Sequence, residues 1–376
     1  MPVSILHFAD LHLDHSFASL AMASSEAIKR REELRASLRR IVDLANERNV
    51  QAVTVGGDLY EHDRATLDTG NFIAKEFARL APKPVLITPG NHDPCAPDSL
   101  YRRVAWPDNV LIFDQEEWRP ISIGGTVTIF GAAHMGPATR SNLLARLRVD
   151  TDRVAIALFH GSDSSSVPPG KAVHCPFSLE DVNQSGAAFV LLGHYHQGRA
   201  FPSSDPRCAY PGSPEPLGFD EAGTHHVLVL TVDEARVMPE FVAMNETFYE
   251  THEVDVSGMA TSDEVREAIV SLSLGAPRAR TVVRVVLIGQ PEPELNLDVS
   301  ALMAATAEQF RYLDIVDRSE LAFDLEALRE ETTTRGAFVR MMEERIAAAS
   351  TAERAMLSKA LTYGLQAFEG REVRPR

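Results

Sequence analysis

Short apolar runs alternate with helix-spaced stripes over the first 244 residues, and the apolar runs stop at polar side chains able to hold a cation. The run VSILHFA at 3–9 predicts a strand with Asp10 and His12 at its tip. Ile28, Leu34, Leu38, Ile41, Val42 and Ala45 recur at helical spacing and predict a helix over 26–48. Its other face, Lys29, Arg30, Arg31, Arg35, Arg39 and Arg40, reads as solvated. QAVTVGG then leads to Asp58, a helix is expected over 65–80, and KPVLIT stops at Pro89-Gly90 before Asn91, His92 and Asp93. In open α/β sheets, ligand-binding groups lie just past the carboxyl ends of strands.

A second series of runs behaves alike. VLIF at 110–113, ISI and VTIF through 130 and VAIALF at 154–159 read as strands, the last ending at His160. Ser178 and Asp181 cap a short helix, and AAFVLL at 187–192 ends in Gly193-His194-Tyr195-His196. Strands at 207–210, 225–231 and 237–243 close this α/β unit, 1–244. Beyond it FYETHEVDV, a helix opened by Thr261 and Glu264, RTVVRVVLIG, a helix over 297–309 and RYLDIV alternate as β-α-β-α-β. That order predicts a small α+β domain over 245–320. The segment 321–376 is helical, with Leu325, Leu328, Phe338, Met341, Met342 and Ile346 in one stripe and Leu357, Leu361, Leu365 and Phe368 in the next.

Length and charge narrow the class. A chain of 376 residues is long enough for two or three units. No apolar run reaches the roughly 20 residues of a membrane helix, and the N-terminus lacks the features of a signal peptide. Three cysteines without a CxxC pair suit a reducing compartment, so a cytoplasmic protein without a membrane partner is expected. The net charge of −16 argues against a broad basic face for nucleic acid. Any contact with DNA then falls to a local patch or to a partner.

The strand tips together offer Asp10, His12, Asp58, Asn91, His92, His160, His194 and His196. Oxygen and imidazole donors without a thiolate suit Mn²⁺, with Fe or Zn²⁺ as alternatives. Asp10-x-His12 and His194-x-His196 each put two donors on one side of an extended segment. So many donors suit two divalent metal ions sharing a carboxylate. Two cations about 3.5–4 Å apart stabilise both the attacking and the leaving oxygen of a phosphoryl displacement.

The blocks FADLHL, GGDLY, GNHD, HG and GHYH, in that order, resemble the calcineurin-like metallophosphoesterase superfamily. The resemblance implies a four-layer αββα sandwich. It also implies one metal on Asp10, His12, Asp58 and His196, and a second on Asp58, Asn91, His160 and His194. His92 would reach the substrate phosphate, as proton donor or charge stabiliser, with Asp93 fixing its ring. FADLHLD, GGDLY and AYPGSPEPLGF at 209–219 look like the SbcD-type DNA repair exonucleases, within them the bacterial YhaO-like branch. This implies nuclease action on DNA ends, a capping role for 245–320 and terminal helices that dock an SbcC-type SMC-like ATPase. A homodimer is left open.

One position departs from that pattern. Archaeal and eukaryotic relatives carry a histidine three residues after the bridging aspartate, where this chain has Glu61. The alternatives to a nuclease are a small-molecule phosphodiesterase or phosphatase with the same centre, and a weakly active subunit that docks the ATPase. Arg64, Tyr210 and Ser213 are the expected DNA contacts, Arg64 having a salt bridge with Asp63 or Asp68 as its other reading. His7 is expected in the core or behind the ligands, His15, His134 and His174 are expected to be structural, and only one of His225 and His226 can face inward. The stripe Phe338, Met341, Met342 and Ile346 reads either as the docking face or as packing against the small domain.

Overall fold

The computed structural model describes residues 2–20, 24–168, 170, 172–234, 236–292, 295, 297–319 and 323–368; the last eight residues of the expected helical segment lie outside this set. The chain forms two compact units, 1–249 and 250–376.

In the first unit, β1 (Val3–Phe8), α1 (Ser24–Glu47), β2 (Ala52–Val55), α2 (Leu67–Ala78), β3 (Val85–Ile87), α3 (Leu100–Arg103) and β4 (Val110–Ile112) alternate as the pattern requires. They are followed by β5 (Arg119–Ile123), β6 (Val127–Gly131), β7 (Val154–His160), α4 (Leu179–Gln184), β8 (Phe189–Gly193), β9 (Arg199–Phe201), β10 (Cys208–Tyr210), β11 (His226–Asp233) and β12 (Arg236–Ala243). One sheet runs β12-β11-β1-β2-β3-β4 and the other β5-β6-β7-β8-β10-β9. The strands that deliver the expected ligands, β1 to β3 and β7 to β8, are parallel to their sequence neighbours.

The alternation of side chains along β1 sorts its residues between two cores. Val3 and Ile5 join Leu86 and Leu230 against Ile129, Ile156 and Leu191 of the other sheet, so the two sheets pack face to face. Leu6 and Phe8 instead meet Leu34, Leu38 and Phe77 of the helices that cover the first sheet. Leu143, Leu144 and Val182 cover the second sheet through Ala157, Phe159 and Val190. The result is the αββα sandwich. Its helix phase differs from expectation at one end of α1, where Ile28 is 55% exposed and Arg30 is fully buried. Arg30 escapes an uncompensated charge by pairing with Glu33 and donating to Thr247 Oγ1 at 2.6 Å and Pro216 O at 2.7 Å. Arg40 reaches Glu215 at 2.5 Å, so part of the basic face is a buried clasp rather than a solvated surface.

The second unit begins in β13 (Phe248–Asp255) and continues through α5 (Ser262–Val270), β14 (Thr281–Ile288), α6 (Val299–Thr306) and β15 (Tyr312–Asp317). Its sheet runs β13-β14-β15, and both capping boxes expected from sequence, at Ser178 and at Thr261, are formed. The helices α7 (Leu325–Glu330), α8 (Thr334–Ala348) and α9 (Thr351–Phe368) complete it. Phe338, Met342 and Ile346 of the α8 stripe pack with Leu357, Leu361 and Leu365 in a core of the terminal helices that is separate from that of the small domain. A helical hairpin needs its own core, and these residues supply it. Of the four, Met341 alone is well exposed, at 43%. No helix among the described residues is long and apolar enough to cross a membrane.

Candidate metal centre

The strand tips of the two facing sheets bring the expected donors together. Asp10 and His12 follow β1, Asp58 follows β2, Asn91 to Asp93 follow β3, His160 ends β7, and His194 and His196 follow β8. The backbone pays for this convergence, with positive φ at Asp10 (54°), His12 (49°), Asp58 (52°) and His194 (114°). Such conformations cost on the order of 1–3 kcal/mol each and cluster at functional sites. Two glycines permit the crowding: a Cβ at Gly90 would strike Asp58 Oδ1, and one at Gly193 would strike Gly56 O.

Three donor groups result among the described residues, two of them from the expected ligands. Asp10, His12 and His196 form one and Asp58, His160 and His194 the other, while His12, Glu61 and His92 form a third that shares His12, with donor atoms within 4.8 Å of one another in each. Asp58 lies between the first two, its Oδ2 3.3 Å from His160 Nε2 and 3.7 Å from His12 Nε2. Asn91 Oδ1 is 3.0 Å from His160 Nε2.

The rear nitrogen of each ring decides what the front one can do. His160 Nδ1 faces Gly56 O at 2.9 Å and His194 Nε2 faces Ala172 O at 3.0 Å. His12 Nδ1 faces Glu61 Oε1 at 2.9 Å, and His196 Nδ1 faces Glu221 Oε1 at 2.5 Å. Carbonyl and carboxylate oxygens only accept, so at His12, His194 and His196 each takes the ring N–H and leaves a lone pair on the opposite nitrogen, whereas His160 Nε2 also faces the oxygens of Asp58 and Asn91 and must give up a proton before it can hold a cation. His12 Nε2 and His196 Nε2 then aim lone pairs at each other across 3.3 Å. A cation between them relieves that repulsion, so this donor set fits a metal.

The charges are coupled to match. Burial pushes the Asp58 carboxyl up, but His160 and His12 outweigh it and hold the group well below the usual range. His194 is driven down to about 2 by burial and by the neighbouring His160. His160 rises to about 9, since Asp58 and Asp10 overcome its burial.

His92 stands at the mouth, its side chain 46% exposed and its ring 4.8 Å from that of His12. The structure corrects the expected role of Asp93. Its carboxylate accepts from the backbone of Asp58 (3.0 Å), Leu59 (2.7 Å) and Gly90 (2.6 Å) and from Tyr101 Oη (2.5 Å), which braces the loop. The ring of His92 is held by Glu61, whose Oε2 lies 2.9 Å from Nδ1. Glu61 Oε1 also meets His15 Nδ1 at 3.2 Å, so the residue at the departing position ties three imidazoles together. The hydrogen bond between His92 Nδ1 and Glu61 raises His92 to about 9 against its partial burial.

Other expectations sort by burial. Tyr210 and Ser213 are fully buried, which removes them from any DNA surface. Tyr210 Oη donates to Gly161 O at 2.7 Å, and Ser213 Oγ donates to Glu221 Oε2 at 2.9 Å. Arg64 is exposed, its Nε donating to Asp14 O at 3.1 Å, and it has no ion pair among the described residues. Asp68 pairs with Arg35 instead, at 2.9 Å. His7 is buried between Thr54 Oγ1 and Leu192 O, each 3.0 Å away, as expected. His225 faces inward and His226 does not. His134 and His174, read as structural, lie beside the second donor group, with ring centroids 5.5 Å from His160 and 5.4 Å from His194. Glu221, a lone carboxylate, carries no spacing signal in the sequence, and the carbonyls of Gly56 and Ala172 carry none either.

Two relatives span most of the chain. The "Uncharacterized metallophosphoesterase YhaO" of Bacillus subtilis is 29% identical over 330 residues, 83% of this chain and 80% of the relative. The "DNA double-strand break repair protein Mre11" of Methanopyrus kandleri is 25% identical over 366 residues, 88% of this chain and 76% of the relative. The calcineurin-like phosphoesterase family matches residues 3–198, the stretch that carries every donor of the two groups. With more than half of its length matched and the donors gathered at the strand tips, this chain belongs to the calcineurin-like phosphoesterase family.

Proposed function

We propose that the chain is a Mn²⁺-dependent nuclease that hydrolyses phosphodiesters at DNA ends. The observation that carries the reading is the pair of donor groups that meet at Asp58, each imidazole pinned from behind by an oxygen. Asp10, His12, Asp58 and His196 would hold one cation, and Asp58, Asn91, His160 and His194 the other. Two such ions supply Lewis acidity and lower the pKa of water enough to give a nucleophile at neutral pH.

The chain's own residues do the rest. His92, fixed by Glu61 and half exposed, contacts the phosphate and moves a proton to the leaving oxygen or stabilises its charge. DNA as substrate is supported by the likeness to the Methanopyrus repair protein and by Arg64, an exposed cation on the loop after Asp58 that has no carboxylate partner among the described residues. Arginine's planar fork suits phosphate oxygens. An SMC-like ATPase docking on the terminal helices is supported by the exposed Met341 and Met356. An activity screen with Mn²⁺, Fe²⁺ and Zn²⁺ against linear DNA and small phosphate esters tests the proposal. Degradation of DNA supports it, and turnover restricted to small esters contradicts it.

A further inference from the structure

We infer that Glu221 is a positioning residue for His196, and that the turn from Tyr210 to Glu221 is built to support the donor group of Asp10, His12 and His196. The inference rests on the two-cation reading above and names the residue that sets the strength of one of its two sites.

The turn is fastened to His196 at several points. Glu221 is 6% exposed, and its Oε1 accepts from His196 Nδ1 at 2.5 Å. Its Oε2 accepts from Ser213 Oγ at 2.9 Å and from the Leu217 backbone N–H at 3.0 Å. Ser213 N donates to His196 O at 3.0 Å. His225 staples the two ends of the turn, Nε2 2.8 Å from Glu221 O and Nδ1 2.8 Å from Ser213 O. At Gly212, φ is +81° and a Cβ would lie 2.6 Å from His196 O, so the turn sits flush against the ligand's own backbone. The hydrogen bonds to Oε2 thus fix the carboxylate whose Oε1 orients His196.

The two donor groups differ in this respect. His160 and His194 are backed by neutral carbonyls, of Gly56 and Ala172, whereas His12 and His196 are backed by the carboxylates of Glu61 and Glu221. A carboxylate draws more strongly on the ring N–H and makes the imidazole a better donor to a cation. Glutamine at 221 fails in either orientation. With its oxygen toward His196, its NH₂ meets the Leu217 N–H, donor against donor. Turned over, its NH₂ makes His196 Nδ1 the acceptor and moves the ring proton to Nε2, the nitrogen the cation needs.

The test is Mn²⁺ titration of the metal-free full chain by calorimetry, for wild type, Glu221→Gln and Ser213→Ala, with thermal melts of each metal-free protein. We expect wild type to take up two ions per chain. In Glu221→Gln one binding step should weaken by about 10–100-fold while the other stays within about twofold, in line with the usual effect of losing a ligand's outer partner. Ser213→Ala keeps the carboxylate and should weaken the same step by only a few-fold. Unchanged binding in Glu221→Gln overturns the inference, as does equal weakening of both steps together with a lowered melting temperature, which marks a purely structural role. Fewer than two ions in wild type removes the two-cation reading itself.

Discussion

Replacing Glu61 with glutamine tests whether a carboxylate at this position organises the mouth of the site. In the wild type its two oxygens serve His12 and His92 at 2.9 Å and His15 at 3.2 Å. Glutamine keeps the shape but offers one accepting oxygen and an NH₂ group, so at least one imidazole N–H faces a donor. A hydrogen bond to a charged group contributes roughly 1.5–3 kcal/mol, and its loss at His92 falls on the reacting phosphate. At about 1.4 kcal/mol per factor of ten, kcat should drop about 10–100-fold. The drop must persist at saturating Mn²⁺, because His12 also loses its partner and metal binding weakens separately. Steady-state hydrolysis of a model diester at several Mn²⁺ concentrations separates the two effects. A kcat within about twofold of wild type at saturating metal would refute the reasoning and return Glu61 to a bystander.

His92→Ala should abolish phosphodiester turnover while metal content, read by atomic emission, stays at the wild-type value. Arg64→Ala should weaken DNA binding and reduce the slope of log affinity against log salt by about one, leaving model-ester hydrolysis unchanged; equal losses on both substrates would make Arg64 part of the site's structure. Burial lowers the His7 ring to about 4, against 6.5 when unfolded, so its contribution is complete above 6.5 and is lost as pH falls towards 4. Chemical denaturation of the metal-free protein should register about 3 kcal/mol of that loss, and His7→Gln should flatten the dependence in this window.

The sandwich was legible because period-two and helical patterns respond to burial, and burial here is two-sided: Val3 and Ile5 face one core while Leu6 and Phe8 face another. The donor set was legible for a related reason, since each donor follows an apolar run that has to end at a sheet edge. What the pattern could not carry was partnership across long sequence separations. Arg30 reads as a surface charge until Thr247 and Pro216 close over it. Tyr210 and Ser213 read as surface polar residues until Gly161 and Glu221 claim their hydroxyls. Asp93 next to His92 suggested a pair, but the backbone turn points its carboxylate at three N–H groups, and Glu61, 31 residues away, holds the ring.

The central claim, a two-cation centre that works on DNA ends, is met most directly by one comparison. Purified protein with Mn²⁺ is incubated with end-labelled linear duplex and with covalently closed circular DNA of the same sequence, alongside a model diester. The account predicts that the linear duplex is shortened from its ends, that the circle survives, and that His92→Ala leaves both intact. Intact linear DNA together with brisk turnover of the model diester would contradict it.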